Sequence, residues 1–516
     1  MPPTARTTTR SVDPRTGEAF GPAYEDATPA EVAAVVEAAA AAFTVTRRAA
    51  PETLAGLLEA IADGLEALGD RLVATAVAET GLDAARITGE RGRTCGQLRA
   101  FAEVARSGAH LGIRIDPADP TRTPPRPDLR RMQIPLGPVA VWGASNFPLA
   151  FSVPGGDTAS ALAAGCPVVA KAHPSHPATS ELAAQVIVAA VAEAGLPTGT
   201  FALLHGRDPS VSRALVTAPG IAAAGFTGSE AAGRALYDLA AARPEPIPVF
   251  AEMGSLNPQF VTEAGIAAGV DDLAHGLIGS VTLGTGQYCT KPGLVFLPDS
   301  PVGRELEAAM IAAAGQVEPA PLLAEGIGAG LRQRLGELAD LPDVEVVVAD
   351  RADGAGTWAS PTVLITHAGA FAATPQLQQE CFGPATLLVR VISLEDMVTI
   401  AAGLPGSLAA SVHAAEQDID RLAELVEILQ HRVGRVLWNQ FPTGVAVTHA
   451  MHHAGPYPAS TFVQHTSVGT AAIARFVRPV VYQNAPQALL PAPLRDENPS
   501  RRWRLVDGQL TREAIA

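Results

Sequence analysis

The sequence predicts an α/β protein built around a parallel, doubly wound sheet. From residue 138 onward, short apolar runs typical of buried strands alternate with helical segments, as in "PVAVWGASNFP" followed by "GGDTASALAAG". This alternation favours parallel strands joined by crossover helices. A second α/β stretch from about 253 to 445 contains "GLVFLP", "TVLIT", "ATLLVRVI" and "GRVLWN". At 516 residues the chain is also too long for one compact core, which predicts more than one domain.

The first 110 residues are predicted to be mainly helical. In "TPAEVAAVVEAAAAAF", Thr28 is the N-cap, Pro29 takes the first helical position and Glu31 completes a capping box. A second amphipathic stretch runs from about 51 to 80 and stops at Gly81. The Pro- and Arg-rich segment "DPADPTRTPPRPDLRRMQIPLGP" is predicted to be an extended arm or strand linker outside the core.

Further apolar runs continue the alternation to the end of the chain. "PVVAKAHP", "GTFALLHG", "IAAAGFTGS" and "IPVFAEMG" extend the first sheet, and "ATSELAAQVIVAAVAEAGLP" supplies an amphipathic helix between them. The last 60 residues hold one more strand-like run, "RFVRPVVY", followed by a Pro-rich polar tail.

Charge and composition exclude several classes of function. A formal net charge of −15 argues against nucleic acid or an anionic membrane as the main partner. The polar N-terminus lacks the apolar stretch of a signal peptide, and no uninterrupted apolar run is long enough to span a bilayer. The four cysteines are far apart and show no metal-ligand spacing: Cys95, Cys166, Cys289 and Cys381. We therefore expect a soluble cytoplasmic protein with reduced thiols and no metal site.

The basic residues are strongly biased toward arginine. Lys171 and Lys291 are the only lysines among 37 basic residues, so the other 35 are arginine. A lysine offers a compact ammonium on a flexible stem, which a guanidinium does not replace. Each lysine is therefore a candidate for a specific role, although chance is an equally good explanation for either one alone.

Three residues are candidates for chemistry, and each also has an ordinary structural explanation. Asn146 follows a strand end, where functional groups collect in such sheets, but it could be a helix cap. Glu252 ends an apolar strand, where burial would raise its pKa toward the range of a general base, unless it is solvated. Cys289 is flanked by Gly-Gln-Tyr and Thr-Lys-Pro-Gly, which favours a turn over the buried core position usual for cysteine.

No G-x-G-x-x-G follows a strand, so the ordinary dinucleotide fingerprint is missing. In "GFTGSEAAG", small residues lead from a strand into a helix whose N-terminus could bind a phosphate through its N–H groups. Tight strand-to-helix turns need glycine in any case, so this signal is weak alone.

Taken together, the order Asn146, Lys171, "FTGS", Glu252, "GQYCTKPG" and "ECFGP" resembles the aldehyde dehydrogenase superfamily over almost the whole chain. "WGASNFPLAFSVPGGDTASALAAGCPVVAKAHPSHP", "ARPEPIPVFAEMGSLNP" and "TSVGTAAI" look like the NADP-preferring subgroup that oxidises 2-oxoglutarate semialdehyde (2,5-dioxopentanoate) to 2-oxoglutarate. The resemblance implies a Rossmann-type NAD(P)-binding domain (1–114 and 138–252), an α/β catalytic domain (253–445) and a small β bridging or oligomerisation element (115–137 and 446–516). It also implies a homodimer or homotetramer.

The resemblance assigns the catalytic roles. Cys289 would attack the aldehyde carbon to give a thiohemiacetal, and the side-chain amide of Asn146 with the N–H of Cys289 would form the oxyanion hole. Loss of hydride would leave a thioester, which water activated by Glu252 would hydrolyse.

The cofactor residues follow from the same resemblance. Lys171 would bind the adenosine ribose, Glu380 the nicotinamide ribose, and Phe382 would pack beside the nicotinamide. Gly228 and Ser229 match the turn over the pyrophosphate. Pro174 stands where NAD-preferring members often carry a ribose-binding glutamate, which predicts that NADP is preferred and NAD possibly also accepted. Arg207 and His176 are candidate partners of the 2′-phosphate.

The substrate pocket is less well specified by the sequence. Phe151, Leu283 and Phe441 are predicted as apolar walls, and Lys291 is proposed as the anchor of a distal carboxylate because no arginine lies near the nucleophile in sequence. A medium- or long-chain fatty aldehyde and succinic semialdehyde are the alternative substrates. A catalytically silent ligand-binding protein of the same fold is the alternative outside enzymes. A cysteine hydrolase would need a histidine beside the thiol, and no histidine, including those of "HAMHH", can be placed there from sequence.

Overall fold

The protein is described by a computed structural model over residues 6–348, 351–352 and 357–515. Within these residues the chain forms 15 α-helices. They are α1 Pro29–Thr46, α2 Pro51–Ala67, α3 Gly69–Thr80, α4 Ala84–Ser107, α5 Gly156–Ala163, α6 Pro177–Glu193, α7 Pro209–Thr217, α8 Glu230–Ala241, α9 Glu263–Ala267, α10 Val270–Thr282, α11 Pro301–Gly315, α12 Glu325–Ala339, α13 Ala368–Ala373, α14 Leu394–Gly403 and α15 Ile419–Leu429.

A parallel five-stranded sheet carries most of the predicted site residues at one edge. Its strands are β5 Val139–Trp142, β6 Val168–Lys171, β7 Phe201–Leu204, β8 Ala223–Thr227 and β9 Val249–Glu252, in the spatial order β7-β6-β5-β8-β9. Because parallel strands end at the same edge, Asn146, Lys171, Gly228 and Glu252 all lie at or just beyond their carboxyl ends.

A seven-stranded sheet lies in the part of the chain after β9. Its strands are β10 Gln259–Val261, β11 Leu294–Pro298, β13 Glu345–Val348, β15 Thr362–His367, β16 Ala385–Val391, β17 Ser407–His413 and β18 Val433–Trp438. Their order is β13-β15-β16-β11-β10-β17-β18, and all pairs are parallel except β13 with β15. The two sheets confirm the predicted α/β class.

A third sheet of five strands joins the middle of the chain to its C-terminal part. It contains β3 Arg114–Asp116, β4 Leu129–Pro135, β19 Val477–Gln483, β20 Arg504–Val506 and β21 Gln509–Thr511, in the order β19-β4-β3-β20-β21. Two further pairs are β1 Thr8–Val12 with β2 Ala19–Glu25 and β12 Ala320–Pro321 with β14 Trp358–Ala359. The predicted boundaries near 138, 253 and 446 fall between strands of different large sheets, whereas the one after 114 falls inside β3. The division into functional domains stays a prediction.

The N-terminal helices follow the local sequence signals. Thr28 caps α1, and its side chain and that of Glu31 form the predicted capping box. The stretch predicted as one helix over 51–80 is two helices, because Gly69 adopts a left-handed conformation with φ of +54°. Gly81 ends α3 in the left-handed region, as predicted.

One described helix, α1, is long and apolar enough to cross a bilayer by length and composition. In the fold, its apolar stripe of Val32, Val36 and Ala39 packs in one buried cluster with Ala140 and Trp142 of the first sheet. One face of the helix is therefore buried against the first sheet.

The segment after β18 is closely tied to the first sheet. Ser460 pairs with Glu252 in an isolated antiparallel bridge, and the N–H of Met253 donates to the carbonyl of Ala459 at 2.8 Å. This segment was assigned from sequence to the bridging element, yet it crosses the end of β9. Its side chains therefore reach the candidate active site.

Candidate active site

Two cavities meet at Cys289. A cavity of about 800 Å³ extends along the carboxyl edge of the first sheet and has Asn146, Glu252 and Cys289 in its lining. A second cavity, of about 300 Å³, lies beside α4 and also reaches Cys289. The half-buried thiol is thus accessible from a large compartment and from a smaller one. The structure brings together the three residues that were predicted to do chemistry.

The turn that presents Cys289 depends on three consecutive left-handed residues, Gly284, Thr285 and Gly286, with φ of +57°, +57° and +68°. A Cβ at Gly286 would lie 2.2 Å from the carbonyl of Gly383, so only glycine fits there. The side chain of Asn257 fixes the far side of the turn, donating to the carbonyl of Cys289 at 2.8 Å. The nucleophile turn therefore packs directly against the segment that follows Glu380.

The two donors predicted to form an oxyanion hole belong to residues that line the same cavity. The side-chain nitrogen of Asn146 donates one hydrogen bond to the carbonyl of Gln287 at 2.7 Å, which orients the amide and leaves its second N–H. The backbone N–H of Cys289 donates to no other group in the described part of the chain. Two donors are therefore available for an oxygen that gains negative charge.

A histidine lies between the predicted nucleophile and the predicted base. Nε2 of His453 is 3.6 Å from Sγ of Cys289 and 2.9 Å from Oε1 of Glu252. The hydroxyl of Ser467 contacts the second oxygen of Glu252. Sequence reasoning could not place any histidine here, because His453 is 164 residues from Cys289 and belongs to a segment without helix or strand.

The pKa directions differ from what the sequence suggested. Burial raises the pKa of Glu252, as predicted, but the positive charge and hydrogen bond of His453 and the hydrogen bond of Ser467 outweigh it. The pKa of Glu252 therefore lies below its usual value, and the predicted upward shift is wrong. Burial and the charge of Glu252 raise the pKa of the Cys289 thiol well above its usual value. The resting site pairs a carboxylate with a neutral thiol.

The ligand-type atoms of Glu252, Cys289 and His453 lie within 4.8 Å of one another, although no metal-ligand spacing was visible along the chain. Tertiary contacts created this group, which spacing alone could not reveal. We interpret it as a proton-transfer group, since the carboxylate and imidazole are already hydrogen-bonded to each other at 2.9 Å.

The large cavity fits a dinucleotide. Predicted cofactor residues that line it are Lys171, Pro174, Gly228, Ser229, Glu380 and Phe382. Ser229 caps α8, whose first turn faces the cavity with unpaired N–H groups suited to a pyrophosphate. Burial lowers the pKa of Lys171 to about 8. Residues from the adenosine side to Cys289 thus form one continuous lining.

Two predicted 2′-phosphate partners do not reach this cavity. His176 is fully buried, and its ring nitrogens contact the carbonyl of Ala144 at 3.0 Å and the hydroxyl of Ser180 at 3.3 Å. Arg207 is exposed on the loop after β7 and is not part of the cavity lining. His173 and Ser175, next to Pro174, line it instead.

Lys291 lines neither of the two cavities that meet at Cys289. It is 1% exposed, and its ammonium donates to the carbonyls of Cys381 at 2.9 Å and Ala385 at 2.7 Å. Burial raises the pKa of Glu380 to about 7, and the charge of Lys291 opposes this shift. Lys291 therefore holds the main chain that carries Glu380, and the predicted role as a carboxylate anchor does not fit its position.

The smaller cavity contains two arginines that sequence reasoning missed. Arg86 and Arg93 of α4 both line it, together with the predicted wall residues Phe151 and Leu283. Arg86 is paired with Glu90 at 2.6 Å. The third predicted wall residue, Phe441, lies elsewhere, with its ring against the Cα of Gly276 and 5.3 Å from the ring of His413.

Arg93 differs from Arg86 in its hydrogen bonding. Its Nη1 donates to the carbonyl of Val445 at 2.6 Å, whereas Nε and Nη2 are buried and have no partner in the described residues. Its guanidinium lies 5.4 Å from the centre of the Phe151 ring. Arginine stays protonated in proteins, so the cavity holds a buried cation with two free donors. Such a cation favours an anionic group beside it.

Comparison with known proteins agrees with this geometry. Residues 2–456 match the Aldehyde dehydrogenase family. The chain therefore belongs to the aldehyde dehydrogenase family, and it is an oxidoreductase that acts on aldehydes with a nicotinamide cofactor.

Individual proteins similar to this chain are found both among curated sequences and among solved structures. The chain is 47% identical over 504 residues to alpha-ketoglutaric semialdehyde dehydrogenase 2 of Azospirillum brasilense, covering 97% of this chain and 96% of the relative. It is 43% identical over 509 residues to alpha-ketoglutaric semialdehyde dehydrogenase of Acinetobacter baylyi, covering 98% and 96%. The fold is similar to that of 1-pyrroline-5-carboxylate dehydrogenase from Thermus with bound NAD, with a TM-score of 0.80, 21% identity and coverage of 93% and 90%.

Proposed function

We propose that the protein oxidises 2-oxoglutarate semialdehyde to 2-oxoglutarate, with NADP⁺ preferred over NAD⁺. The observation that carries the choice of substrate is the buried guanidinium of Arg93 in the cavity beside Cys289, with Nε and Nη2 unpartnered in the described residues. The substrate bears an aldehyde at one end and a carboxylate at the other. A guanidinium in the cavity lining matches a carboxylate better than any neutral end group.

Neighbouring side chains support the same assignment. Glu90 accepts from Arg86 and from the N–H groups of Leu149 and Ala150 at 2.8 Å, so its charge is already satisfied. Arg93 therefore remains as the cation of the cavity that forms no ion pair in the described residues. A fatty aldehyde would leave this cation without a partner, which costs binding energy. The names of the two curated relatives point to the same substrate.

The chain's own residues divide the work as follows. Sγ of Cys289 forms a bond to the aldehyde carbon, and Asn146 with the N–H of Cys289 stabilises the oxyanion. A bound nicotinamide accepts the hydride in this class of reaction. Glu252 then takes a proton from the water that attacks the thioester, because its carboxylate is ionised and 4% exposed.

The preference for NADP⁺ is supported by the charges along the adenosine end of the cavity. Pro174 leaves no carboxylate at that position, and Lys171 supplies an ammonium near the ribose site. His173 and Ser175 replace His176 and Arg207 as the proposed neighbours of the 2′-phosphate, because they line the cavity. A homo-oligomeric state and a cytoplasmic location are retained as parts of the proposal.

An aldehyde-by-cofactor panel tests the proposed substrate. We expect the highest kcat/KM with 2-oxoglutarate semialdehyde and NADP⁺, a lower value with succinic semialdehyde, which lacks the keto group, and the lowest with hexanal. The measurement is the initial rate of NAD(P)H formation at 340 nm. A higher kcat/KM for hexanal than for both semialdehydes would overturn the proposed substrate. A clear preference for NAD⁺ would overturn the proposed cofactor.

The cofactor preference should depend on pH through Lys171. Its ammonium is present below a pKa of about 8 and is lost as the pH rises through that value. The 2′-phosphate stays ionised over this range, since its second pKa is about 6. The ratio of kcat/KM for NADP⁺ to that for NAD⁺ should therefore fall between pH 7 and pH 9. Lys171→Met should lower the ratio and remove its pH dependence, whereas a flat ratio in the wild type would contradict this role.

A further inference from the structure

A row of aromatic rings forms one wall of the smaller cavity. The ring centre of Phe147 lies 5.1 Å from that of Phe151 and 5.2 Å from that of Tyr288. The guanidinium of Arg86 lies over the Phe147 ring, 4.4 Å from its centre. The guanidinium of Arg93 lies over the Phe151 ring, 5.4 Å from its centre. Because Phe147 and Phe151 are in contact, the two cations lie over adjacent rings of the same wall.

The hydroxyl of Tyr288 is held by one hydrogen bond and keeps a free hydrogen. Nε of Arg86 donates to the hydroxyl oxygen at 2.7 Å. The phenolic O–H itself donates to no group in the described part of the chain. Since the bond from Arg86 occupies a lone pair of the oxygen, the hydrogen is directed away from the guanidinium. A charged donor on the oxygen also polarises the O–H bond, which makes the hydroxyl a stronger donor.

The two oxygen-bearing groups at the far end of the proposed substrate differ in charge. Its carboxylate is placed at Arg93, and its keto group is on the adjacent carbon. A keto oxygen is a neutral hydrogen-bond acceptor, so a hydroxyl satisfies it without adding a charge to the cavity. A carboxylate on Arg93 leaves the keto group to meet the neighbouring part of the wall, where Arg86 holds Tyr288.

We propose that the Tyr288 hydroxyl donates a hydrogen bond to the keto oxygen and thereby selects 2-oxo semialdehydes over semialdehydes with a methylene group at the same carbon. Arg86 is the positioning residue for this hydroxyl. The inference rests on the proposed function, since it takes the substrate carboxylate to bind at Arg93. A methylene analogue leaves the O–H of Tyr288 without an acceptor, and a site that leaves such a donor unpaired rejects the analogue.

Thr290 carries the other hydroxyl among the described residues that line this cavity. Its side chain makes no hydrogen bond in the described part of the chain, so no protein group fixes the direction of its O–H. The Tyr288 hydroxyl is oriented in advance by Arg86, and it therefore loses less conformational freedom when it binds an acceptor. Tyr288 is the better donor for the keto group, and Thr290→Val tests the alternative.

Glutaric semialdehyde is the matched substrate for the test, because it has the same chain length, aldehyde and carboxylate but a methylene group in place of the keto carbon. The measured quantity is the ratio of kcat/KM for 2-oxoglutarate semialdehyde to kcat/KM for glutaric semialdehyde, from initial rates of NADPH formation. Tyr288→Phe should lower this ratio by about 10-fold, which is the effect of one hydrogen bond. The variant keeps the ring that packs against Phe147, so the cavity wall is retained. Thr290→Val should keep the wild-type ratio.

A purely structural role for Tyr288 gives a different result, because it would lower kcat/KM for both semialdehydes and leave the ratio unchanged. Tyr237→Phe is the matched control, since it makes the same chemical change on α8 and Tyr237 lines neither cavity at Cys289. It should match the wild type with both substrates. An unchanged ratio in Tyr288→Phe would overturn the inference. Equal kcat/KM for the two semialdehydes in the wild type would overturn it as well.

Failure of this inference is distinguishable from failure of the proposed function. Both semialdehydes carry the carboxylate, so a wild type that oxidises them equally and prefers both to hexanal has no keto recognition but keeps carboxylate recognition. A preference for hexanal in the aldehyde panel overturns the proposed substrate itself.

Discussion

Arg93→Leu should lower kcat/KM for 2-oxoglutarate semialdehyde by on the order of 10²- to 10³-fold, which corresponds to about 3–4 kcal/mol. The reason is the loss of a charge-assisted contact between the substrate carboxylate and the guanidinium whose Nε and Nη2 have no partner in the described residues. The effect should appear mainly in KM, because the contact is made equally in the ground state and the transition state. Initial rates of NADPH formation give both constants.

The same variant should improve the turnover of apolar aldehydes. Without the Arg93 guanidinium, the remaining charges of the lining are the paired Arg86 and Glu90, and its apolar wall is formed by Phe147, Phe151 and Leu283, so kcat/KM for hexanal should rise. Arg91→Leu is the control, because Arg91 lies on the same helix, donates to the carbonyl of Gly69 at 2.9 Å and does not line the cavity. An Arg93→Leu enzyme that keeps its preference for the semialdehyde would show that another group holds the carboxylate.

Cys289→Ala should reduce dehydrogenation by at least about 10⁴-fold, since removal of a nucleophile eliminates the covalent route. Binding of NADP⁺ should remain nearly unchanged, because the residues proposed to bind the cofactor line the large cavity and do not include Cys289. The two quantities are measured by NADPH formation at high enzyme concentration and by titration of protein fluorescence with NADP⁺.

Cys381→Ala is the matched control for this loss. Cys381 is the other half-buried free cysteine, and its contact with Lys291 is made by its main-chain carbonyl, which alanine retains. Its variant should keep most of the activity. Substantial turnover by Cys289→Ala would mean that the nucleophile is a different residue, and the proposed function would then fail.

Local sequence signals were sufficient to predict the main helices and strands and part of the candidate active site. Strand ends are visible as apolar runs that stop at polar or small residues, and parallel strands end at one edge. Asn146, Lys171 and Glu252 could therefore be expected near each other before the fold was known. The turn around Cys289 was equally readable, because its glycines occupy left-handed positions that other residues rarely adopt.

The side chains near Cys289 that belong to none of these motifs are brought there by tertiary packing alone. Arg93 is one of 35 arginines, and nothing in the sequence distinguishes it from the others. It becomes a candidate for substrate binding because α4 packs beside the turn of Cys289 and two of its nitrogens have no partner in the described structure. Sequence reasoning chose Lys291 instead, because that lysine is near Cys289 along the chain. In the fold, its side chain passes beneath Glu380 to two main-chain carbonyls.

What the sequence by itself determined is the α/β class and the residues proposed as nucleophile, oxyanion donor and carboxylate base, together with the sheet edge proposed for the cofactor. The tertiary structure decided which cation is proposed for the substrate carboxylate and which histidine lies between Cys289 and Glu252. The physical reason is the range of the interactions involved. Backbone geometry and burial leave a local pattern in the chain, whereas a contact between side chains 164 residues apart depends on how whole elements pack and leaves none.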